Sequence, residues 1–313
     1  MKDIISKIAQ RSDIKNRPPV LLDIGASKYI NPLWKEIAAF SIAITFDGDD
    51  RDFTYIEKTE EGFKKMFVFN RIVVEKANTP VQNFFLTQSP YCSSTLQPNH
   101  KALKPYVFAK AFTVEKTVQL PCTDMTSILA EIKLDYIDWF KTDTQGTDLR
   151  LFASLQESVM KNVVLAEFEP GLIDAYESED KVFHLLTYMQ GRPFFLTDFD
   201  VKGTQRMNGQ AFEGIFKSEF MQKVARHTLK PVPGWAEITY MNNFESTHFT
   251  ARDFIVGWLF NSLRKHHGVA LMIAEQGISR FNDHFFNDLK QYSKKRLFRE
   301  SINIKNLFKA YIS

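Results

Sequence analysis

Three aspartates stand where apolar runs break off, at the points where buried strands would end. Asp23 lies in Val20-Leu21-Leu22-Asp23-Ile24-Gly25, with Ala26 and Ser27 next; Asp47 closes Ser41 to Phe46, 24 residues further on; Asp143 closes Asp138-Trp139-Phe140-Lys141-Thr142. A carboxylate after the second strand of a parallel sheet can accept two hydrogen bonds from the vicinal hydroxyls of a ribose. That is the role expected of Asp47, within a crowd that includes Asp49, Asp50 and Asp52. Gly25 lets the first loop turn tightly and approach a ligand. Asp23 either orients one end of that ligand or caps the turn that follows. Asp143 can take a proton from a hydroxyl, bind a metal that does so, or cap a helix starting near Thr147. Lys141, two residues earlier on the same strand face, is expected to pair with Asp143 and keep it ionised, or to form a purely structural ion pair. Glu167 and Glu169 end a later run, and with Asp143 they offer oxygen ligands suited to Mg²⁺ or another hard ion.

The remaining polar candidates lie in one loop. Ser93, Ser94 and Asn99 can hydrogen-bond a polar substrate, and His100 is either a base or a solvated or capping residue. His266 and His267 lack further ligand spacing and read as surface residues of a helix. The first loop holds one glycine where a pyrophosphate-binding turn would hold three, so a nicotinamide dinucleotide fits it less well than S-adenosylmethionine, which has no pyrophosphate.

These residues need a sheet to hold them. Continuous apolar runs at 20–25, 41–46, 71–74, 138–142 and 162–168 read as strands buried on both faces, the run at 71–74 as the third of them. Shorter strands are expected at 83–87, 113–120 and 193–196, and the alternating stretch 235–240 reads as an outer or antiparallel strand. Helices are expected at 1–16, 34–40, 127–133, 147–155 and 179–190. Alternation at this spacing implies an α/β fold with a mostly parallel sheet, and in such sheets ligands bind beyond the carboxyl ends of the strands.

Composition narrows the rest. The chain has 313 residues, 44% hydrophobic and 25% charged, with a net charge of +3, which describes a folded globular protein rather than a disordered one. No apolar run reaches membrane-spanning length, the first residues lack the apolar stretch of a signal peptide, and two cysteines, Cys92 and Cys122, make no disulfide scaffold or zinc site. A cytoplasmic protein with free thiols is expected, without a nucleic-acid partner. The 29 phenylalanines fit core packing, with aromatic platforms for a sugar ring or a base as the alternative. Residues 261–313 carry ten basic side chains against four acidic ones. A boundary near 243–249 therefore divides the chain into a main domain, 1–244, and a basic helical C-terminal appendage, 245–313.

Between about 18 and 240 the chain resembles the FkbM-type methyltransferase family. Asp23-Ile24-Gly25-Ala26-Ser27-Lys28-Tyr29-Ile30-Asn31-Pro32-Leu33-Trp34 is similar to the family's first motif, with Lys28 and Tyr29 where small glycines are common. The stretch Thr87 to Asn99 resembles its serine-serine loop, and Phe140-Lys141-Thr142-Asp143-Thr144-Gln145-Gly146 its most characteristic motif. Leu165 to Pro170 and Gly234 to Tyr240 fit the segments that follow. The resemblance implies a class I methyltransferase (Rossmann-like) fold: a seven-stranded, mostly parallel sheet with an antiparallel final strand. It implies S-adenosylmethionine as cofactor and methyl transfer to a hydroxyl oxygen of a small or glycan acceptor. Asp23, Gly25, Ala26 and Asp47 are then the candidate cofactor ligands, and Asp143, Lys141 and His100 the candidate catalytic groups. Ser93, Ser94 and Asn99 are the candidate substrate contacts, with Asp143 and Glu167 as ligands if a divalent metal takes part. Crowding of the cofactor by Lys28 and Tyr29 would instead leave a methyltransferase-like binding or scaffold protein without turnover.

Overall fold

The computed structural model describes residues 1–25, 30–48 and 62–302. In chain order its elements are α1 (Lys2–Gln10), α2 (Ser12–Asn16), β1 (Val20–Ile24), β2 (Ile42–Phe46), β3 (Lys65–Phe69), β4 (Ile72–Val73), β5 (Val81–Thr87), α3 (His100–Leu103), β6 (Val114–Thr123), α4 (Met125–Ile132) and β7 (Trp139–Thr142). There follow α5 (Asp148–Ala153), α6 (Glu157–Met160), β8 (Leu165–Phe168), α7 (Val182–Met189), β9 (Phe194–Thr204), α8 (Gly209–Ile215), α9 (Glu219–Thr228), β10 (Val232–Asn242), α10 (Ala251–Leu263), α11 (His267–Arg280) and α12 (Phe285–Ser301). The stretch expected as a helix at 34–40 is two short 3-10 turns, Pro32–Glu36 and Ala38–Phe40.

Among the described residues seven strands form the central sheet, in the order β3-β2-β1-β7-β8-β10-β9. The first five run parallel, and β10 lies antiparallel to both β8 and β9. Period-two alternation sends successive side chains to opposite faces. Leu21, Trp139 and Leu165 join one core, while Leu22, Phe140 and Ala166 join the other. That is why these strands read as unbroken apolar runs: both faces are covered. The run expected as the third strand is displaced. Lys65–Phe69 takes the edge beside β2, in register from Ile42↔Lys65 to Phe46↔Phe69. Ile72–Val73 turns away into a separate three-stranded sheet, β4-β6-β5.

The C-terminal segment is not an appendage. Every residue of α10 from Arg252 to Leu263 is buried. Phe254, Trp258, Phe260, Ile273 and Leu289 share one core with Ile4, Ile8, Trp34 and Trp139. The Trp139 ring lies 4.7 Å from Phe260 and 5.7 Å from Trp34. The buried Arg252 guanidinium grips Asp138 at the start of β7, with Arg252 Nη2 donating to Asp138 Oδ2 at 2.8 Å. Thus α1, α2 and α10–α12 cover one sheet face while α4–α7 cover the other. His266 and His267 also depart from expectation: His266 Nε2 lies 2.8 Å from Asp198, and His267 is buried with Nε2 3.2 Å from Glu300. No helix among the described residues is long and apolar enough to cross a membrane.

Candidate functional site

The carboxyl ends of β2, β1 and β7 lie side by side, and the strand register brings Asp23 beside Thr45 and Lys141. Past β1 the chain turns at Gly25, whose φ is +92° and whose N–H donates to Phe46 O at 3.0 Å. A Cβ at this position would lie 2.0 Å from the carbonyl oxygen of Asp143, so the turn and the end of β7 touch backbone to backbone. The Asp143 N–H donates to Ile24 O at 2.9 Å, and the Asp47 N–H to Phe69 O at 3.2 Å. Hydrogen bonds from strand ends therefore hold the first residue of each of these loops.

Asp23 is fully buried. Its Oδ1 accepts a 2.7 Å bond from Lys141 Nζ, whereas its Oδ2 has no hydrogen-bond partner among the described residues. The expected pairing of Lys141 with Asp143 is thus corrected: Asp23 faces Lys141 directly across the β1–β7 register. Burial pulls the Lys141 ammonium down, but the charges of Asp23 and Asp143 outweigh it and hold the group above its ordinary value.

Asp143 does not cap the following helix. Its Oδ1 accepts from Gln145 Nε2 at 2.6 Å, and Asp148 instead takes the Thr144 N–H at 2.9 Å and the Glu169 N–H at 2.7 Å. Gln145 adopts a φ of +57°, and its carbonyl accepts from Ser94 Oγ at 2.8 Å. Its side-chain carbonyl accepts from the Tyr176 hydroxyl at 3.1 Å. A Tyr176–Gln145–Asp143 chain thereby fixes the carboxylate. Burial pushes the Asp143 carboxyl up to about 6, with Lys141 opposing the shift. Glu169 is pushed up to about 9, first by burial and then by the charges of Asp143, Asp148 and Glu237.

Two cavities meet at this loop. One enclosure, about 650 Å³ including space open to solvent, lies over Gly25, Phe46, Asp47, Phe84, Ser93 and Asp143. The other, about 850 Å³ on the same measure, is walled by Phe108, Phe112, Tyr176 and Trp235, with Asp143 and Glu169 on its polar side. Tyr91, Asp143 and Gln145 line both. Ring centroids of Phe108 and Trp235 are 6.4 Å apart, and those of Phe112 and Tyr176 5.5 Å. Some of the phenylalanines are therefore cavity walls. Cys92 lines the second cavity, and burial pushes its thiol up to about 11, which makes it a poor nucleophile.

The other expected site residues divide. Asp23, Gly25, Asp47, Asp143 and Lys141 come together at the strand edge, and Ser93 lines the first cavity. Ser94 serves the Gln145 loop from within, accepting the Leu96 N–H at 3.0 Å. Asn99 caps α3 by accepting from the Ala102 N–H at 3.0 Å, and His100 is an exposed first residue of that helix, outside both cavities. Glu167 is held by Arg264, which also reaches Asp198 at 3.0 Å and Thr239 at 2.9 Å, so its carboxylate is already paired with a cation. Glu169, two residues further and just past β8, lines the second cavity together with Asp143. Among the described residues no group of three or more His, Cys, Asp or Glu side chains is arranged to hold a metal. Ala26, Lys28 and Tyr29 lie outside the described residues, as do Asp49, Asp50 and Asp52. Tyr176 and Phe108 carried no local signal in the sequence, and Trp235 stood out only as part of the stretch 234–240, because the three reach the site from segments far apart in the chain.

Compared with known proteins, the chain matches no family model, no curated protein and no solved structure.

Proposed function

We propose that the protein is an S-adenosylmethionine-dependent methyltransferase acting on a hydroxyl oxygen of a small or glycan acceptor. The observation that carries this reading is the pair of cavities meeting at Asp143, the first bounded by Gly25 and Asp47 and the second by aromatic rings and Glu169. The sheet supports it as well: five parallel strands followed by an inserted antiparallel last strand agree with what the resemblance implies.

The residues present suit the cofactor. Asp47, just past β2 on the wall of the first cavity, offers a carboxylate of the kind that accepts from ribose hydroxyls. The Asp23 Oδ2, without a hydrogen-bond partner among the described residues, is a buried acceptor at the base of the first loop, where it asks for an N–H donor. Gly25, with no Cβ, lets the start of the first loop close directly on the Asp143 carbonyl, which brings the ends of β1 and β7 together beneath the first cavity. When bound, S-adenosylmethionine supplies a methyl group on a sulfonium centre, which a hydroxyl oxygen can attack.

The chain's own part is positioning and proton transfer. At neutral pH Asp143, with its carboxyl near 6, is ionised and can take the acceptor's hydroxyl proton. Glu169, near 9, keeps its proton and can donate a hydrogen bond to the acceptor. Two carboxyl groups held apart in this way divide the base and donor roles. Gln145 and Tyr176 orient Asp143, while Lys141 neutralises Asp23. The aromatic walls hold the acceptor's ring and exclude water.

The test is Asp143→Asn, which preserves size and the acceptor atom for Gln145. Affinity for S-adenosylmethionine should stay near normal, while transfer to a panel of glycosides falls ~10²–10⁴-fold, the range of general acid–base groups. Unchanged turnover would reduce Asp143 to a structural residue. Activity lost to a chelator and restored by Mg²⁺ or Mn²⁺ would replace the direct base by a metal-assisted one.

A further inference from the structure

The helices α8 and α9 join β9 to β10 and touch the body along a narrow strip. Phe212 and Ala225 are buried in a small cluster with Val107, and the rest of α9 is almost wholly exposed. Phe220 is 72% exposed, Met221 47% and Val224 37%. Positions i, i+1 and i+4 share one side of a helix, so these three form an apolar stripe in the open. Ile215 at the end of α8 and Leu229 after α9 are exposed as well. A helix in a globular protein normally turns its apolar side to the core, and this one turns it outward.

Charge accompanies the stripe. Between 205 and 230 stand Arg206, Lys217, Lys223, Arg226 and Lys230, all exposed, against two acids, Glu213 and Glu219. An apolar stripe bordered by basic side chains matches the water–lipid boundary of a membrane, with acyl chains meeting the stripe and anionic headgroups the border. We propose that α8 and α9 dock the protein on the surface of a membrane rich in anionic lipid, without spanning it. A second copy of the chain is a poorer occupant. A two-fold contact sets each patch against itself, so the basic excess of one copy, five basic side chains against two acids, would meet the same excess of the other. The docking patch joins the body through Val107, the residue before Phe108 of the aromatic cavity, so a lipid-bound protein holds that cavity close to the bilayer.

The test is sedimentation of the full chain with phosphatidylcholine vesicles and with equimolar phosphatidylcholine–phosphatidylglycerol vesicles. Partition to the anionic vesicles should be about tenfold or more the stronger, and added salt should release it. Phe220→Ser should weaken that partition about tenfold and Lys223→Glu about fivefold or more, with circular dichroism unchanged because both side chains are exposed. Equal partition to the two kinds of vesicle, or none to either, overturns the proposal, as does binding that survives both substitutions. A concentration-dependent dimer that Phe220→Ser dissolves assigns the face to a second copy and overturns it too.

Discussion

Replacing Asp138 by alanine tests whether the C-terminal helices belong to the core. The Asp138 carboxylate is buried and accepts three bonds: two from Arg252, on α10, and one from the Val20 N–H at 2.8 Å, at the start of β1. One side chain thus ties two central strands to a helix 114 positions away. Removing it strands the buried guanidinium, a loss of about 3–5 kcal/mol for broken pairs of this kind. The orphaned Val20 donor adds about 1–3 kcal/mol. Arg252 keeps bonds to Pro18 O at 2.9 Å and Arg17 O at 3.0 Å, and Asp253 lies 3.2 Å away. These offset part of the cost, so the sum should settle at about 3–5 kcal/mol. With an unfolding entropy of about 2.1 cal/mol/K per residue, the melting temperature should drop by about 5–8 °C. Replacing the pair together, Asp138→Leu with Arg252→Met, should recover most of the loss, since no charge is left unpaired. Urea and thermal unfolding followed by circular dichroism provide the assay. A single-variant loss under about 1 kcal/mol would refute the reasoning. So would a wild-type melt in two steps, with residues beyond 245 unfolding separately.

Two further perturbations address the site. Folded Glu169 holds its proton up to about 9, whereas the ordinary value is 4.5. Between those limits the folded state binds more protons than the unfolded one, so this contribution to stability is full below the lower value and lost as pH climbs to the upper. The urea midpoint should decline over that window, and Glu169→Gln should flatten the decline; an identical slope in the variant would show that another group is responsible. Gly25→Ala would drive a Cβ to 2.0 Å from the Asp143 carbonyl at a φ of +92°, and a cost of about 3 kcal/mol or more is expected in urea unfolding. A variant as stable as wild type would mean that the β1–β7 contact yields easily.

Much of the sheet is legible in the sequence because β1, β2, β7 and β8 are covered on both faces and so read as unbroken apolar runs. Asp47 and Asp143 are legible for the same reason, since they follow the points where those runs stop; Asp23 lies inside β1, one residue before its end. The third strand is harder, because Lys65–Phe69 and Ile72–Val73 are both apolar and only two residues apart, and pairing with β2 rather than local pattern decides between them. The C-terminal segment misleads through charge. Its charged groups of both signs pair with the body, Arg264 with Glu167, Asp288 with Lys7 and Asp283 with Arg11, so a local excess of basic residues does not mark a separate unit. Small and polar residues on α10, Gly257, Asn261 and Ser262, disguise a helix buried all round. At the site itself, sequence spacing cannot tell Glu167 from Glu169. Arg264 arrives from a distant helix to claim the first, and aromatic rings from four separate segments enclose the second.

The most direct measurement is a calorimetric titration of the protein with S-adenosylmethionine, run in parallel on wild type and Asp47→Ala. The wild type should bind with one site per chain. A charge-assisted hydrogen bond is worth about 1.5–3 kcal/mol, so the variant, still folded, should bind about tenfold to a hundredfold more weakly. A wild-type protein that takes up no S-adenosylmethionine would contradict the proposed function outright, and equal affinity in the two would contradict the placement of the ribose at Asp47.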